Sequence, residues 1–403
     1  MRRPALAALA AVLALPALAQ DELRPPVQTR SPNAPDQTPA FEGQTRAPQP
    51  AQEVDVESEV VARGLPRLWA MEFLPDGRML VTAKRGTMHV VTQDGTFGEP
   101  ISGVPEVEAR EHGGLLDVAL APDFADSGTV YFSFAEPREG GSGTSLARAR
   151  LVLDANSGAL EDVEVIFRQT PAYRGNLHYG SRIAFRPDGT LFLAVGERFD
   201  TPIRDRAQDL STGMGKVFRL NPDGSAPDDN PFVDHADAQP EIWSYGHRNV
   251  QSATVTEDGT LWTVEHGPLG GDELNRPEPG LNYGWPVITY GINYNGQPIG
   301  EGITEKEGME QPVYYWDPVI APSGMDEYRG DEFPEWQGDL LVGGLASQTI
   351  VVLDMEDGRV ASESRVPMAV RVRDVKVGPD GAVYAITEGQ GSAIVRLTNG
   401  GSA

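Results

Sequence analysis

The sequence predicts an all-β fold, a six-bladed β-propeller of four-stranded antiparallel sheets, on three observations. Glycine and proline punctuate the chain heavily, 45 and 33 of 403 residues, and the runs between them are short and alternate apolar with polar residues. That is the pattern of antiparallel strands joined by frequent turns. One phrase, a Pro-Asp-Gly-like turn followed by a strand, occurs six times. Its copies lie roughly 40 to 80 residues apart, which suits one four-stranded sheet per repeat plus insertions.

In chain order the copies are "LPDGRMLVTA" at Asp76-Gly77, "APDFADSGTVYFSF" at Asp123, "RPDGTLFLAV" at Asp188-Gly189, "TEDGTLWTVE" at Asp258-Gly259, "EWQGDLLVGG" at Gly338-Asp339 and "GPDGAVYAIT" at Asp380-Gly381. Asp-Gly supplies the positive φ that a hairpin turn demands, and alternation in "TLFLAV" and "TLWTVE" turns one face toward the neighbouring blade. A β-sandwich with recurring hairpins is the other fold such turns permit. The six copies fall within a single domain spanning residues 53–400. In a propeller the strands converge on a central channel, so polar residues at strand mouths from distant blades meet at one end.

Ahead of that domain, "MRRPALAALAAVLALPALAQ" has two arginines, a short apolar stretch and small residues before Gln20, the layout of a cleavable secretory signal over residues 1–19. Export to the periplasm or exterior is therefore expected. Residues 20–52 are rich in Pro, Gln, Thr and Asp with few large apolar side chains, which predicts a flexible lead. No later run reaches about 18 uninterrupted apolar residues, so stable membrane insertion is not expected. The expected assembly is a monomer or homodimer.

Composition excludes several function classes. With no cysteine, thiolate catalysis and disulfide stapling are both absent. A formal charge of −26 disfavours nucleic acid and anionic membranes as partners, because phosphate binding concentrates Lys and Arg. Serine elbows, phosphate-cradling loops and His-x-x-x-His zinc pairs are missing too.

What remains is a set of polar residues at strand mouths. His178, one of six histidines, stands in "GNLHYGSR" at the entry to an alternating run; Arg248 and Asn249 in "YGHRN" lead into a hairpin that "EHGPLGGDE" leaves. Arg371 and Arg373 in "VRVRDV" alternate on a strand and so share a face. Each has a plainer reading: a hydrogen-bonded turn histidine, a surface Arg-Asn pair, a strand edge, and in Gly267-Pro268 a simple turn.

Together "HYGSR", "AQDLSTGMGKVFRLNPDG", "EIWSYGHRN", "EHGPLGGDELN", "LNYGWPVITYG" and "YYWDPVIAPSGM" resemble the soluble glucose/sorbosone dehydrogenase family, in particular its bacterial aldose sugar dehydrogenases that use pyrroloquinoline quinone (PQQ). The resemblance runs from about Leu65 to Leu397. It implies a six-bladed propeller that oxidises aldoses at C1 to lactones, with hydride passing to PQQ and electrons to an external acceptor. It further implies that His178 is the base and Arg248 the charge facing the reacting quinone carbonyl, and that Asn249, Arg371 and Arg373 bind the cofactor. The carbonyls of Gly267 and Pro268 would hold a Ca2+ at the site, with Glu273 and the carbonyl of Tyr283 at a second, structural calcium. Tyr315 and Trp316 would wall the sugar or cofactor, although such aromatics also serve blade packing.

Three positions depart from the family pattern. His112 in "EHGGLLD" stands where many relatives have Gln or another polar residue near substrate and quinone, and is counted with the cofactor-binding residues. Ala346, Ser347 and Gln348 replace a segment that supplies a lysine. Leu177 precedes His178 where the glucose enzymes carry an acidic residue, leaving the partner that orients the imidazole unassigned. A calcium-dependent propeller lactonase and a non-enzymatic binding propeller are the rival functions.

Overall fold

A computed structural model describes residues 23–155, 157–389 and 391–401; the expected signal segment, 1–19, lies outside the described residues. Six antiparallel sheets follow one another along the chain and close into a ring. The first comprises Leu68–Phe73, Met79–Ala83 and Thr87–Val91, the second Leu115–Leu120, Thr129–Arg138, Gly141–Leu153 and Gly158–Arg168. The third holds Gly180–Phe185, Leu191–Val195, Lys216–Leu220 and Ile242–Tyr245, the fourth Val250–Val255, Leu261–Glu265, Asp272–Asn275 and Tyr314–Trp316. The fifth is Pro322–Glu327, Leu340–Gly344, Thr349–Glu356 and Arg359–Pro367. The sixth takes Arg371–Val377, Val383–Gly389 and Gly391–Asn399 from the end of the chain and Val56–Leu65 from its beginning. Pairing the first strand of the domain with the last, Val56 opposite Asn399, is what closes the ring.

Each of the six recurring phrases is the turn between the first and second strands of a blade. The glycines at 77, 189, 259, 338 and 381 have φ of 78–85°, which a side chain would strain. In the second copy a one-turn helix, Phe124–Ser127, intervenes and ends on Gly128 at φ 66°. The expectation of four strands in every blade needs one correction: the first has three. Its fourth place is taken by an irregular segment in which Gly98 and Ile101 bond to Val90 and Met88, with an isolated bridge from Phe97 to Val91.

The expected flexible lead is also corrected. Residues 23–52 lie against the fourth and fifth blades. The backbone N–H groups of Asn33 and Ala34 donate to the Asp317 carboxylate (2.6 and 2.9 Å), and Arg46 donates to the carbonyls of Gln28, Arg30 and Asp317, each at 2.8 Å. Gln44, Ala34 and Ala47 are buried. The segment has little apolar surface, but the propeller satisfies its backbone groups, and its prolines leave less chain entropy to lose on docking.

First strands line the axis, and side chains stitch every pair of neighbouring blades there. Thr82 Oγ1 donates to Leu116 O (2.5 Å), Ser133 Oγ to Ser181 O (2.7 Å), Arg182 Nε to Gln251 O (2.8 Å) and Ser323 Oγ to Val372 O (2.7 Å). Met325 N donates to Ser252 Oγ (2.9 Å), and Met71 N to Asp374 Oδ2 (2.9 Å), completing the circuit.

Arg182 is its centre. Fully buried, it bonds Asp117 (3.0 Å) from the second blade and Asp374 (2.7 Å) from the sixth, and lies 4.4 Å over the Trp69 ring of the first. Burial pushes Asp117 up to about 6 even with Arg182 beside it. Removing the guanidinium would leave two buried carboxylates uncompensated. Arg182→Met is therefore expected to cost about 3–5 kcal/mol, read as a lower urea midpoint at unchanged slope; a midpoint within experimental error of the parent would refute this role.

Candidate active site

The turns of the recurring phrases occupy one end of the ring, so the loops entering each first strand and those joining second to third strands meet at the other. There a cavity of about 120 Å³ opens on the axis, lined by every blade: Arg67, Trp69 and Lys84 from the first, His112 and Leu116, Tyr179 and Gly180, then Asn249, Gln251 and His266, Leu345, and finally Arg371 and Arg373. Larger grooves, such as the one between Tyr131 and Phe185, lie at the end that carries the recurring turns and hold no histidine. Of the residues marked in the sequence, the axial cavity collects His112, Asn249, Arg371 and Arg373 in its lining.

Four cations line it, and three of them, Arg67, Arg371 and Arg373, face one carboxylate, Glu388. Glu388 accepts from Arg373 Nε (2.8 Å) and Arg371 Nε (3.2 Å), with Arg67 Nε at 3.6 Å. Burial works to raise Glu388, but Arg373, Arg67 and Arg371 outweigh it and hold the carboxyl at about 2. Arg371 and Arg373 thus do share a face. Lys84, pushed down to about 8 by burial and by Arg67 and Arg373, donates to Glu111 O (2.5 Å). The segment 346–348 supplies no charge, as its sequence requires; Lys84, which the sequence reading missed, brings an ammonium from the first blade, on the far side of the sixth.

His178 lies just behind that lining, packed on His112, with φ 46°, a left-handed conformation uncommon outside glycine. Its Nδ1 is 2.8 Å from Glu197 Oε2. Burial lowers the imidazole, Glu197 only partly opposing; for Glu197, burial is outweighed by His178, Arg248 and the Phe199 N–H, and the carboxyl is lowered. The pair is therefore neutral histidine and anionic glutamate. Nδ1 carries the proton and donates, and Nε2 is a bare acceptor. Glu197 is the orienting partner that Leu177 does not provide, placed by a loop 19 residues downstream of the histidine. Arg198 holds the preceding segment, donating to Leu177 O (3.0 Å), Ser142 O (2.9 Å) and Gly175 O, its guanidinium 3.9 Å over the Tyr179 ring.

His112 stacks on His178 with centroids 5.8 Å apart, and its Nδ1 accepts from the His178 N–H at 3.4 Å. It is exposed to the channel, yet loss of solvation between the walls, then His178, Lys84 and Arg373, push it down to about 3. Arg248 donates to His266 O (2.9 Å) and Gly267 O (2.7 Å) and lies 5.1 Å from the Trp285 ring, with its buried Nε unpartnered. Asn249, at the cavity wall, meets Gln251 Nε2 at 3.3 Å.

Behind Arg248 a second, much smaller cavity is lined by Gly267, Glu265, Glu273 and Tyr283. Asn275 Nδ2 bridges Glu265 (3.1 Å) and Glu273 (3.0 Å), while its Oδ1 is buried without a partner. Burial, with Glu265 and Asp272 nearby, raises Glu273 far above the usual carboxylate range. Two carboxylates on one void offer oxygen donors of the kind a hard cation takes, but among the described residues no three acidic or histidine side chains are grouped to hold a metal ion. The Gly267 carbonyl already accepts from Arg248, so a cation ligated there would require the guanidinium to move.

Two sequence expectations are overturned. Tyr315 and Trp316 are buried and do not reach the axial cavity: Trp316 Nε1 donates to Glu363 (3.1 Å) within the packing between the fourth and fifth blades, and Tyr315 stacks on Tyr290 at 4.0 Å beneath the docked N-terminal segment. As consecutive residues on a strand they point to opposite faces, and both faces are covered. Lys84, Arg67, Glu197 and His266 went unnoticed because they stand in turns whose direction no local pattern encodes.

His112 also makes a pH statement. Its unfolded form titrates near 6.5 and its folded form near 3, so protonation favours the unfolded chain and stability falls as pH drops from about 6.5 toward 3. His112→Gln is expected to lose less stability between pH 7 and pH 4 than the parent in urea unfolding; an equal loss would contradict the assignment.

Among known proteins, a profile for the family described as Glucose / Sorbosone dehydrogenase matches residues 65–396. An aldose sugar dehydrogenase of Escherichia coli, YliI, is 41% identical over 349 residues, 85% of this chain and 93% of that one. A crystal structure of a glucose dehydrogenase superposes with TM-score 0.81 at 43% identity, covering 84% of this chain and 99% of the other. The PQQ-bound aldose sugar dehydrogenase of Streptomyces coelicolor matches with TM-score 0.71 at 27% identity, over 86% and 99% of the two chains.

Proposed function

The chain belongs to the glucose/sorbosone dehydrogenase family of sugar oxidoreductases, and we propose that it oxidises aldoses at C1 to lactones with PQQ as cofactor, in the periplasm, handing electrons to an external acceptor. The observation that carries this reading is the axial cavity, where cations from two blades and a neutral, carboxylate-oriented histidine meet in a protein of net charge −26.

The cofactor is anionic, and this cavity is built for anions. Arg371, Arg373, Lys84 and Arg67 offer charge-assisted hydrogen bonds to its carboxylates, and Asn249 a neutral one. Bound there, PQQ supplies the acceptor for the hydride leaving C1. The protein does the rest. His178 takes the C1 hydroxyl proton at Nε2, while Glu197, bonded to Nδ1, fixes the tautomer and stabilises the imidazolium that results. Arg248, with an unpartnered Nε, brings a fixed positive charge to oxygen that becomes negative. Calcium held by Glu273 and its neighbours would neutralise the buried carboxylates behind Arg248 and steady that loop.

Protein incubated with Ca2+ and PQQ is expected to reduce a dye in the presence of glucose, and to do so only with the cofactor; dye reduction without PQQ, or none with any aldose, would overturn the reading. His178→Ala should lower kcat about 10²- to 10⁴-fold while circular dichroism shows the protein still folded at assay temperature. Near-normal turnover would remove His178 as the base.

A further inference from the structure

Among the described residues, Tyr294 is the one aromatic side chain that stands largely in solvent, 64% exposed. It does not hang loosely. A tight turn carries it, with Asn293 N donating to Gln297 O, Gly296 N to Asn293 O and Asn293 Nδ2 to Pro298 O, all at 2.8 Å. That turn is tied to the loop after Gly267 by paired bonds between Ile292 and Leu269 (3.0 Å each), and to the third blade by Arg204 Nη1 donating to Asn293 Oδ1 (3.4 Å).

Its ring leads to the base. Tyr294 lies 6.4 Å from Phe199, tilted by 36°, and Phe199 stands edge-on to His178 at 5.0 Å. Phe199 is held at φ 75°, after Arg198 at φ 74°, a backbone conformation costly for both. Its N–H donates to Glu197 Oε2 (2.7 Å), so the carboxylate that orients the base also sets the first aromatic ring. Two rings in file from the base to solvent, on rigid turns from different blades, suit a flat molecule with apolar faces and a polar rim. A protein partner would need a patch of roughly 800 Å², far more than two rings present.

We propose that Phe199 and Tyr294 form a stacking subsite for the second ring of an oligosaccharide whose reducing ring is held at His178. Phe199 packs against the base and Tyr294 lies 6.4 Å farther out, so contact with Tyr294 falls to the part of a sugar beyond the ring held at His178. The assignment rests on the aldose-oxidising reading of the site.

The test compares maltose with glucose on reconstituted protein. Tyr294→Ala is expected to lower the maltose-to-glucose ratio of kcat/KM about fivefold, through KM, and Tyr294→Trp to restore it. A general loss of structure would move both sugars together, so an unchanged ratio overturns the proposal. Methyl maltoside, which has no free C1 hydroxyl, serves as the second probe in saturation-transfer NMR. Binding lost in Tyr294→Ala supports the subsite even if no sugar is turned over and the catalytic reading fails; binding equal in parent and variant overturns it.

Discussion

A guanidinium at the axis constrains everything else in this molecule. Arg182 cannot be buried unless carboxylates meet it, and the two that do come from other blades, the neighbouring second and the sixth across the axis. Those carboxylates in turn accept the Ile183 N–H from the third blade and the Met71 N–H from the first. A ring of sheets has no covalent closure, and the apolar contact between blades is tolerant of sliding, since side-chain burial is non-directional. Directional bonds to a buried ion are not. The register of the blades around the channel is therefore fixed where Arg182, Asp117 and Asp374 meet, and Gly324 is small because a Cβ there would fall 2.0 Å from Asp374 Oδ1.

From that register the site follows. The cavity lies on the same axis as this network, and its walls come from all six blades, so its charges are set by how the ring closes. Arg371 and Arg373 reach Glu388 across neighbouring strands, while Lys84 and His112 arrive from blades far away in sequence. The effect is a local excess of positive charge inside a strongly acidic protein, in surroundings where loss of solvation lowers every histidine in the cavity wall or just behind it. Neutral imidazole beside fixed cations is a combination suited to removing a proton while binding an anion. The docked N-terminal segment buttresses the same rim: Asp317, Tyr315 and Tyr290 lie beneath it, one turn away from the loop that displays Tyr294.

The sequence by itself determined the blade count, because a glycine with positive φ, preceded by Asp in four blades of the six, marks each place where a first strand turns back. It also marked His178, Arg248, Asn249, Arg371 and Arg373, which stand at strand mouths in recognisable phrases. What it could not determine lies between segments. Glu197 as the partner of His178, Lys84 as the replacement for a missing lysine, and the N-terminal segment as part of the folded body all depend on contacts across tens to hundreds of residues, for which no local pattern exists. Tyr315 and Trp316 were misjudged for the same reason: whether an aromatic strand residue faces a channel or a neighbouring blade is decided by the closure of the ring, and closure is a property of the tertiary structure alone.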